Sequence, residues 1–217
     1  MKIKVNGIQL NYEKIGMGKP LILLHGNGED HHIFDELALT LKDKFTLYLV
    51  DSRNHGLSSI TRSFHYEEMA EDVHAMTVQL KLSEVSIFGF SDGGIIGLIL
   101  ASKYPDSYEK MIIAGANLNP TGLKKTVLNS MKEEYEIEKN PYLKLMLEEP
   151  NISNSDLDRI IIPVLVLAGE KDVVHRNHTY NIHRALKKSK LLILKQRLHG
   201  DYVVHSIELE MIIKDFI

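Results

Sequence analysis

The chain opens on a period of two. Ile3 and Val5 alternate with Lys2 and Lys4, and Ile8, Leu10 and Tyr12 alternate with Gln9, Asn11 and Glu13. Between the two runs stands Asn6-Gly7, a pair that tolerates positive φ at both central positions of a two-residue turn. The pattern therefore predicts an antiparallel hairpin with one face exposed. Its character then changes. Short apolar runs recur at 21–24, 46–50, 85–88, 111–114, 164–168 and 191–194. Uninterrupted apolar strands of this length suit a parallel sheet covered on both faces. Helical spacing lies between them: Ile33, Leu37 and Leu41 share one face, as do Met69, Val73, Met76 and Leu80. Residues 93–103 are apolar nearly all round and predict a buried helix, and a last helix is expected over 203–216. Strands alternating with helices give an α/β fold with right-handed crossovers, here a single domain over 1–217.

One stretch breaks the alternation. Residues 117–162 separate two sheet strands by more chain than one helix needs, and Asn119-Pro120, Asn140-Pro141 and Glu149-Pro150 each interrupt it. Between the breaks Leu123, Val127, Met131 and Tyr135 keep helical spacing. This predicts a small helical lid over the C-terminal edge of the sheet. An ordinary crossover helix with a long loop is the alternative.

Composition narrows the chemistry. Of 217 residues, 44% are hydrophobic and 25% charged, which is globular rather than disordered. Lys and Arg number 26 against 29 Asp and Glu, so there is no overall drive toward nucleic acid. Absence of Cys excludes disulfides, thiolate metal sites and cysteine nucleophiles, whereas 11 His keep imidazole chemistry open. The N-terminus lacks the apolar core of a signal peptide, and the apolar stretch at 95–101 is too short to span a bilayer. A cytoplasmic protein with no membrane or nucleic-acid partner is expected. His175, His178 and His183 lack metal-ligand spacing, and neither a metal nor a cofactor is expected.

The strongest chemical signal is Gly89-Phe90-Ser91-Asp92-Gly93, which follows the apolar run 85–88 and opens the next helix. A strand-to-helix turn this sharp strains its central residue and demands Gly or a similarly small residue two positions to either side. It lifts the Ser hydroxyl above the sheet edge and aims the first helical N–H groups at the same spot. His25-Gly26-Asn27-Gly28 follows the run 21–24 and can present further backbone N–H groups. The N–H groups of Asn27 and Asp92 are assigned to an oxyanion hole. A serine nucleophile needs a base, and the base needs an orienting acid. Asp172 lies just past the run 164–168 and His199 just past 191–194, so both can converge on Ser91. Glu170 is the alternative acid. His205 is the rival base, but it falls within the last helical pattern. His31 and His32 are candidates for the pocket mouth. Met131, Met146 and Tyr142 are candidates for an apolar acyl pocket, with core packing as the alternative. Arg53 and His55 are read as supports for a turn.

With these residues placed, the chain resembles the α/β-hydrolase superfamily over essentially its whole length. The resemblance rests on residues 25–28, on Asp51-Ser52-Arg53-Asn54-His55-Gly56-Leu57-Ser58, on the Ser91 elbow, on Gly169-Glu170-Lys171-Asp172 and on His199. Two departures stand out: Asn54 replaces the usual Gly of the second motif, and the segment before His199 lacks a usual Gly. Residues 88–117 are similar to the valacyclovir-hydrolase, or biphenyl-hydrolase-like, branch. That branch implies α-amino acid esters as one substrate class, with the acidic residue after the nucleophile reading the ammonium group. Asp92 holds that position, and helix capping is its alternative role.

The sequence thus points to a cofactor-free serine hydrolase acting on a small carboxylic ester, with Ser91, His199 and Asp172 as nucleophile, base and acid. Thioesterase, amidase, carbon–carbon bond hydrolase and perhydrolase chemistry share the triad. A ligand receptor on the same fold is the reading from another class, and sustained turnover separates it from an enzyme.

Overall fold

The Asn-Gly turn forms as its residues dictate. Asn6 and Gly7 take φ of 43° and 82° and join β1 (Lys2–Val5) to β2 (Ile8–Gly16) with Val5 opposite Ile8. The structure is a computed structural model that describes every residue except Ser63. β2 pairs antiparallel with β4 (Phe45–Val50). β3 (Lys19–Leu24), β5 (Val85–Phe90), β6 (Tyr108–Ala114), β7 (Val164–Gly169) and β8 (Ser189–Leu194) extend the sheet in parallel. The order of the eight strands is β1-β2-β4-β3-β5-β6-β7-β8. The chain runs from β3 outward to β4 and then back to β5 on the other side. The C-terminal ends of β3 and β5 therefore flank a topological switch point, the place where such sheets open a crevice.

Alternation along each strand divides the core between two faces. Val85 and Ile87 point to one layer with α2 (Tyr66–Gln79) and α3 (Asp92–Lys103), whose Met69, Val73, Met76, Ile96 and Leu100 are buried there. Phe88 and Phe90 point to the other, where α1 (Asp35–Leu41) brings Leu37 and Leu41, and Leu209 and Ile213 come from the last helix and its N-cap.

Between β6 and β7 the chain breaks at each predicted proline. α4 (Lys125–Glu138), α5 (Pro141–Glu148) and α6 (Asn154–Leu157) follow one another there, and a satellite cluster of Leu123, Met131, Leu143 and Val174 lies beneath them. Asn140 caps α5 by accepting from Tyr142 N at 2.9 Å, and Pro141 fills the first helical position, where a missing N–H costs nothing. α7 (Arg176–Ala185) connects β7 to β8.

The last helix departs from its expectation. α8 covers only Glu210–Phe216, not 203–216. Val203 and Val204 instead donate to Gly200 O, His205 takes φ 47°, and His205 N donates to Ile33 O. The apolar residues there pack from a turn, which mimics helical spacing without a helix. β8 departs as well. It is an edge strand, and its side chains are only partly covered rather than buried on both faces. Among the described residues no helix is long and apolar enough to cross a membrane.

Arg53 supports the fold as expected. Its Nε donates to Asp72 Oδ2 at 2.6 Å and its Nη2 to Oδ1 at 2.8 Å, both ends buried, and Asn6 Nδ2 adds a bond of 3.0 Å to Oδ1. The pair ties the turn after β4 to α2 and the first hairpin. Arg53→Ala leaves Asp72 buried without its cation, which costs about 3–5 kcal/mol. Calorimetry is expected to show a melting temperature lower by about 6–20 °C.

Candidate active site

The turn after β5 has the strain that its motif predicts. Ser91 sits at φ 51°, ψ −114°, a conformation that L residues rarely adopt. Both flanking glycines have a steric cause. A Cβ on Gly89 would strike the backbone of Gly93, and a Cβ on Gly93 would strike the backbone of Leu24. The turn is pinned to the sheet by Ser91 N, which donates to Ala114 O at 2.8 Å.

Three residues remote in sequence meet there. His199 Nδ1 lies 2.7 Å from Asp172 Oδ1, and His199 Nε2 lies 3.0 Å from Ser91 Oγ. A carboxylate can only accept, so Nδ1 carries the proton and Nε2 is left to accept the Ser91 hydroxyl. Asp172 is itself held in place: Val174 N donates to its Oδ1 at 3.0 Å and Gly169 N to its Oδ2 at 3.2 Å. Glu170, the alternative acid, is exposed and accepts from Gln196 N instead. His205, the rival base, is exposed and lies 3.5 Å from Glu36, away from Ser91. Gly115 was not singled out by the sequence. At φ 68° it passes so close beneath the His199 ring that a Cβ there would lie 2.7 Å from Cε1.

In the loop after β3 the donors on either side of Asn27 are taken. Gly26 N donates to Glu29 Oε2 at 2.9 Å and Gly28 N to His55 Nε2 at 3.1 Å. Asn27 N has no hydrogen bond to a described residue, and neither has Asp92 N, which opens α3 where helical N–H groups lack partners. These are the two donors assigned from the sequence. They border a cavity of about 320 Å³ lined by Ser91, His199, Leu123, Val127, Met131 and Met146 among others. Of the two roles left open for them, Met131 and Met146 fill both: they line the cavity and pack in the cluster beneath the helices. Tyr142 does not line the cavity: its ring lies against His55 and Phe64.

The cavity is acidic. Asp92, Glu29 and Glu149 line it, with no Lys or Arg among the described residues. Burial pushes the Asp92 carboxyl up to about 6, against the pull of Asn27 Nδ2, which donates to Oδ2 at 2.8 Å. That bond holds the side chain toward Asn27, while Asp92 also stands as the acidic residue in the first turn of α3. Burial raises Glu29 too. The buried Tyr66 hydroxyl lies near Asp92 and completes no hydrogen bond of normal geometry, and burial followed by the Asp92 charge holds its pKa well above the usual phenol. Glu29 and Tyr66 escaped the sequence reading, since an acidic loop residue and a residue opening a helix carry no mark of burial.

His31 and His32 stay out of the cavity. His31 is buried against Asp51 at 2.6 Å, while His32 is exposed beside Asp35 at 2.9 Å. Asn54 takes φ 63°, so the turn survives the loss of the usual Gly because Asn tolerates the left-handed region. Gln196, in the segment before His199, takes φ 60°.

The sheet, the elbow and the loop after β3 define a hydrolase scaffold, and the comparisons with known proteins agree. The profile of the alpha/beta hydrolase fold matches residues 19–133. The chain belongs to the α/β hydrolase fold family, and its activity is that of a hydrolase of this family. It is 30% identical over 249 aligned positions to the human protein named serine hydrolase BPHL, covering 100% of this chain and 85% of that one. A pimeloyl-[acyl-carrier protein] methyl ester esterase of Neisseria meningitidis serogroup A is 25% identical over 244 positions, covering 92% of this chain and 77% of the esterase. Among solved structures, the meta-cleavage product hydrolase of Pseudomonas fluorescens IP01 superimposes with a TM-score of 0.83 at 16% identity. It covers 100% of this chain and 96% of its own, and shows a shared fold.

Proposed function

We propose that the protein is a serine hydrolase that cleaves small carboxylic esters through an acyl-enzyme on Ser91. The observation that carries this reading is the hydrogen-bonded chain from Ser91 through His199 to Asp172, open to a cavity bordered by two N–H groups with no partner among the described residues. The Ser91 oxygen attacks the ester carbonyl carbon while its proton passes to His199 Nε2. Asp172 faces the imidazolium that forms, and the carbonyl oxygen, now anionic, takes the N–H groups of Asn27 and Asp92. The tetrahedral species collapses, and His199 gives its proton to the departing alcohol oxygen. Water then adds to the acyl-enzyme by the same route, releasing the acid and restoring Ser91. These steps need no cofactor. Helices α4 to α6 act in this reading as a lid on a single hydrolase domain.

A fluorophosphonate probe tests the nucleophile directly. It is expected to label Ser91, mapped by mass spectrometry, in protein that also turns over p-nitrophenyl acetate and butyrate. No label and no turnover in folded protein overturns the reading in favour of a binding protein.

The acidic cavity supports a narrower substrate class, esters of α-amino acids. A carboxylate buried without a cation is stabilised by an incoming ammonium group, and Asp92 stands next to the nucleophile. Asp92→Asn is expected to lower kcat/KM for valine esters by about tenfold or more relative to the matching isovalerate esters. The selectivity depends on pH. With a carboxyl near 6, Asp92 is ionised at pH 7.5 and protonated at pH 5, so the preference for the aminoacyl ester shrinks as pH falls through 6. Paired assays at the two pH values read this; a preference that stays constant, in the wild type as in Asp92→Asn, removes Asp92 from substrate recognition.

A further inference from the structure

The loop that carries Asn27 is held by two histidines of fixed tautomer. His55 Nδ1 donates to Arg53 O at 2.9 Å, which leaves Nε2 to accept Gly28 N–H at 3.1 Å. His25 Nδ1 donates to Gly26 O at 2.7 Å, and its Nε2 accepts Ser52 N–H at 3.1 Å. The two rings lie 4.9 Å apart. Burial lowers the pKa of both, that of His25 to about 4, so the neutral rings that these bonds require are the favoured forms at neutral pH. Gly28 adjoins Asn27, so the direction of the free Asn27 N–H depends on the anchor at His55.

The segment between β6 and β7 covers the other side of that anchor. The Tyr142 ring packs edge-on against His55 with centroids 4.8 Å apart, and its hydroxyl donates to Asn54 O. Phe64 closes the cluster, 5.5 Å from the Tyr142 ring. Tyr142 stands on α5. Four residues on, along the same face of that helix, Met146 lines the cavity in front of Ser91. One short helix therefore touches the substrate cavity through one residue and the support of the oxyanion loop through another.

We propose that Tyr142 and His55 are positioning residues that couple filling of the cavity at Met146 to the placement of the Asn27 N–H. The proposal rests on the reading of Ser91 as the nucleophile and Asn27 as an oxyanion donor. An acyl chain long enough to press on Met146 seats α5. Seated, Tyr142 holds the Asn54-His55 turn, and His55 holds Gly28. An acetyl group carries less chain toward Met146 and gains less from this route.

The test compares wild type, Tyr142→Phe and Tyr142→Ala on p-nitrophenyl acetate and butyrate, together with the amide resonances of Asn27 and Gly28 in ¹⁵N spectra. Tyr142→Ala is expected to lower kcat on butyrate about tenfold more than on acetate, with KM within about twofold for both. Tyr142→Phe keeps the ring on His55, loses the bond to Asn54 and falls between. The Gly28 amide is expected to shift in Tyr142→Ala. Equal losses on the two esters with an unmoved Gly28 amide overturn the coupling. If wild type turns over neither ester, the hydrolase reading fails separately and the spectra decide: a shifted Gly28 amide upholds the link from Tyr142 through His55, and an unmoved one ends it.

Discussion

Ser91→Ala is expected to lower kcat by about five to six orders of magnitude in a protein that remains folded. The size of the loss follows from how little else can replace the hydroxyl. Its oxygen is the atom that bonds to carbon in the proposed mechanism, and the site contains no thiol to substitute for it. The fold is expected to survive because the substitution removes one atom whose hydrogen bond goes to His199. The Cβ that packs beside Gly26 stays, and so do the backbone bonds from Ser91 N to Ala114 O and from Gly94 N and Ile95 N to Ser91 O. The melting temperature is expected to stay within about 2 °C, since no packing atom is lost beyond one small polar group. Circular dichroism melts and turnover of p-nitrophenyl butyrate measure the two halves of the prediction. A Ser91→Ala variant that retains activity after purification to homogeneity would falsify the acyl-enzyme mechanism.

The elements that the sequence made legible are those whose residue pattern has a local cause. Asn6-Gly7 favours a tight hairpin, and the apolar runs at 85–88 and 164–168 suit strands buried on both faces. Gly89 and Gly93 are required because each meets backbone where a side chain would stand. Legibility ends where spacing has two explanations. Val203, Leu209 and Ile213 all enter the same core layer, but the first does so from a turn whose backbone is claimed by Gly200 O and Ile33 O. The run at 191–194 resembles the central strands, yet its place at the edge of the sheet is a property of topology that no single strand encodes.

The candidate site divides in the same way. Ser91, Asp172 and His199 stood out because each follows a strand and their chain order fits one architecture, and the fold brings them within hydrogen-bond reach. Glu29 and Tyr66 did not stand out. Their burial comes from the closing of α2 and the loop after β3 over one cavity, which no local pattern announces. The sequence marks His55 only as a support for its own turn. Its bond to Gly28 shows that the turn also supports a second loop, 27 residues earlier in the chain.

Asp172→Asn is expected to lower kcat by about a thousand- to ten-thousand-fold with little change in KM. Two effects combine. The substitution removes the negative charge that faces the imidazolium once His199 has taken the Ser91 proton. It also places an amide where both carboxylate oxygens are accepting. With its oxygen toward His199 and Val174 N, the amide nitrogen meets the Gly169 N–H at a site built for an acceptor. With the amide reversed, its nitrogen meets Val174 N–H and forces His199 into the tautomer protonated at Nε2, which cannot accept from Ser91. Either arrangement leaves a buried donor facing a donor, which costs about 1–3 kcal/mol of stability in addition to activity. Glu170→Gln is the matched control. It changes an exposed acid two residues away, bonded to Gln196 N, and is expected to leave kcat within about twofold. Loss of activity in Glu170→Gln with retention in Asp172→Asn would transfer the acid's role to Glu170. The opposite result, with the pH profile of the residual Asp172→Asn activity displaced, assigns it to the carboxylate that lies 2.7 Å from His199.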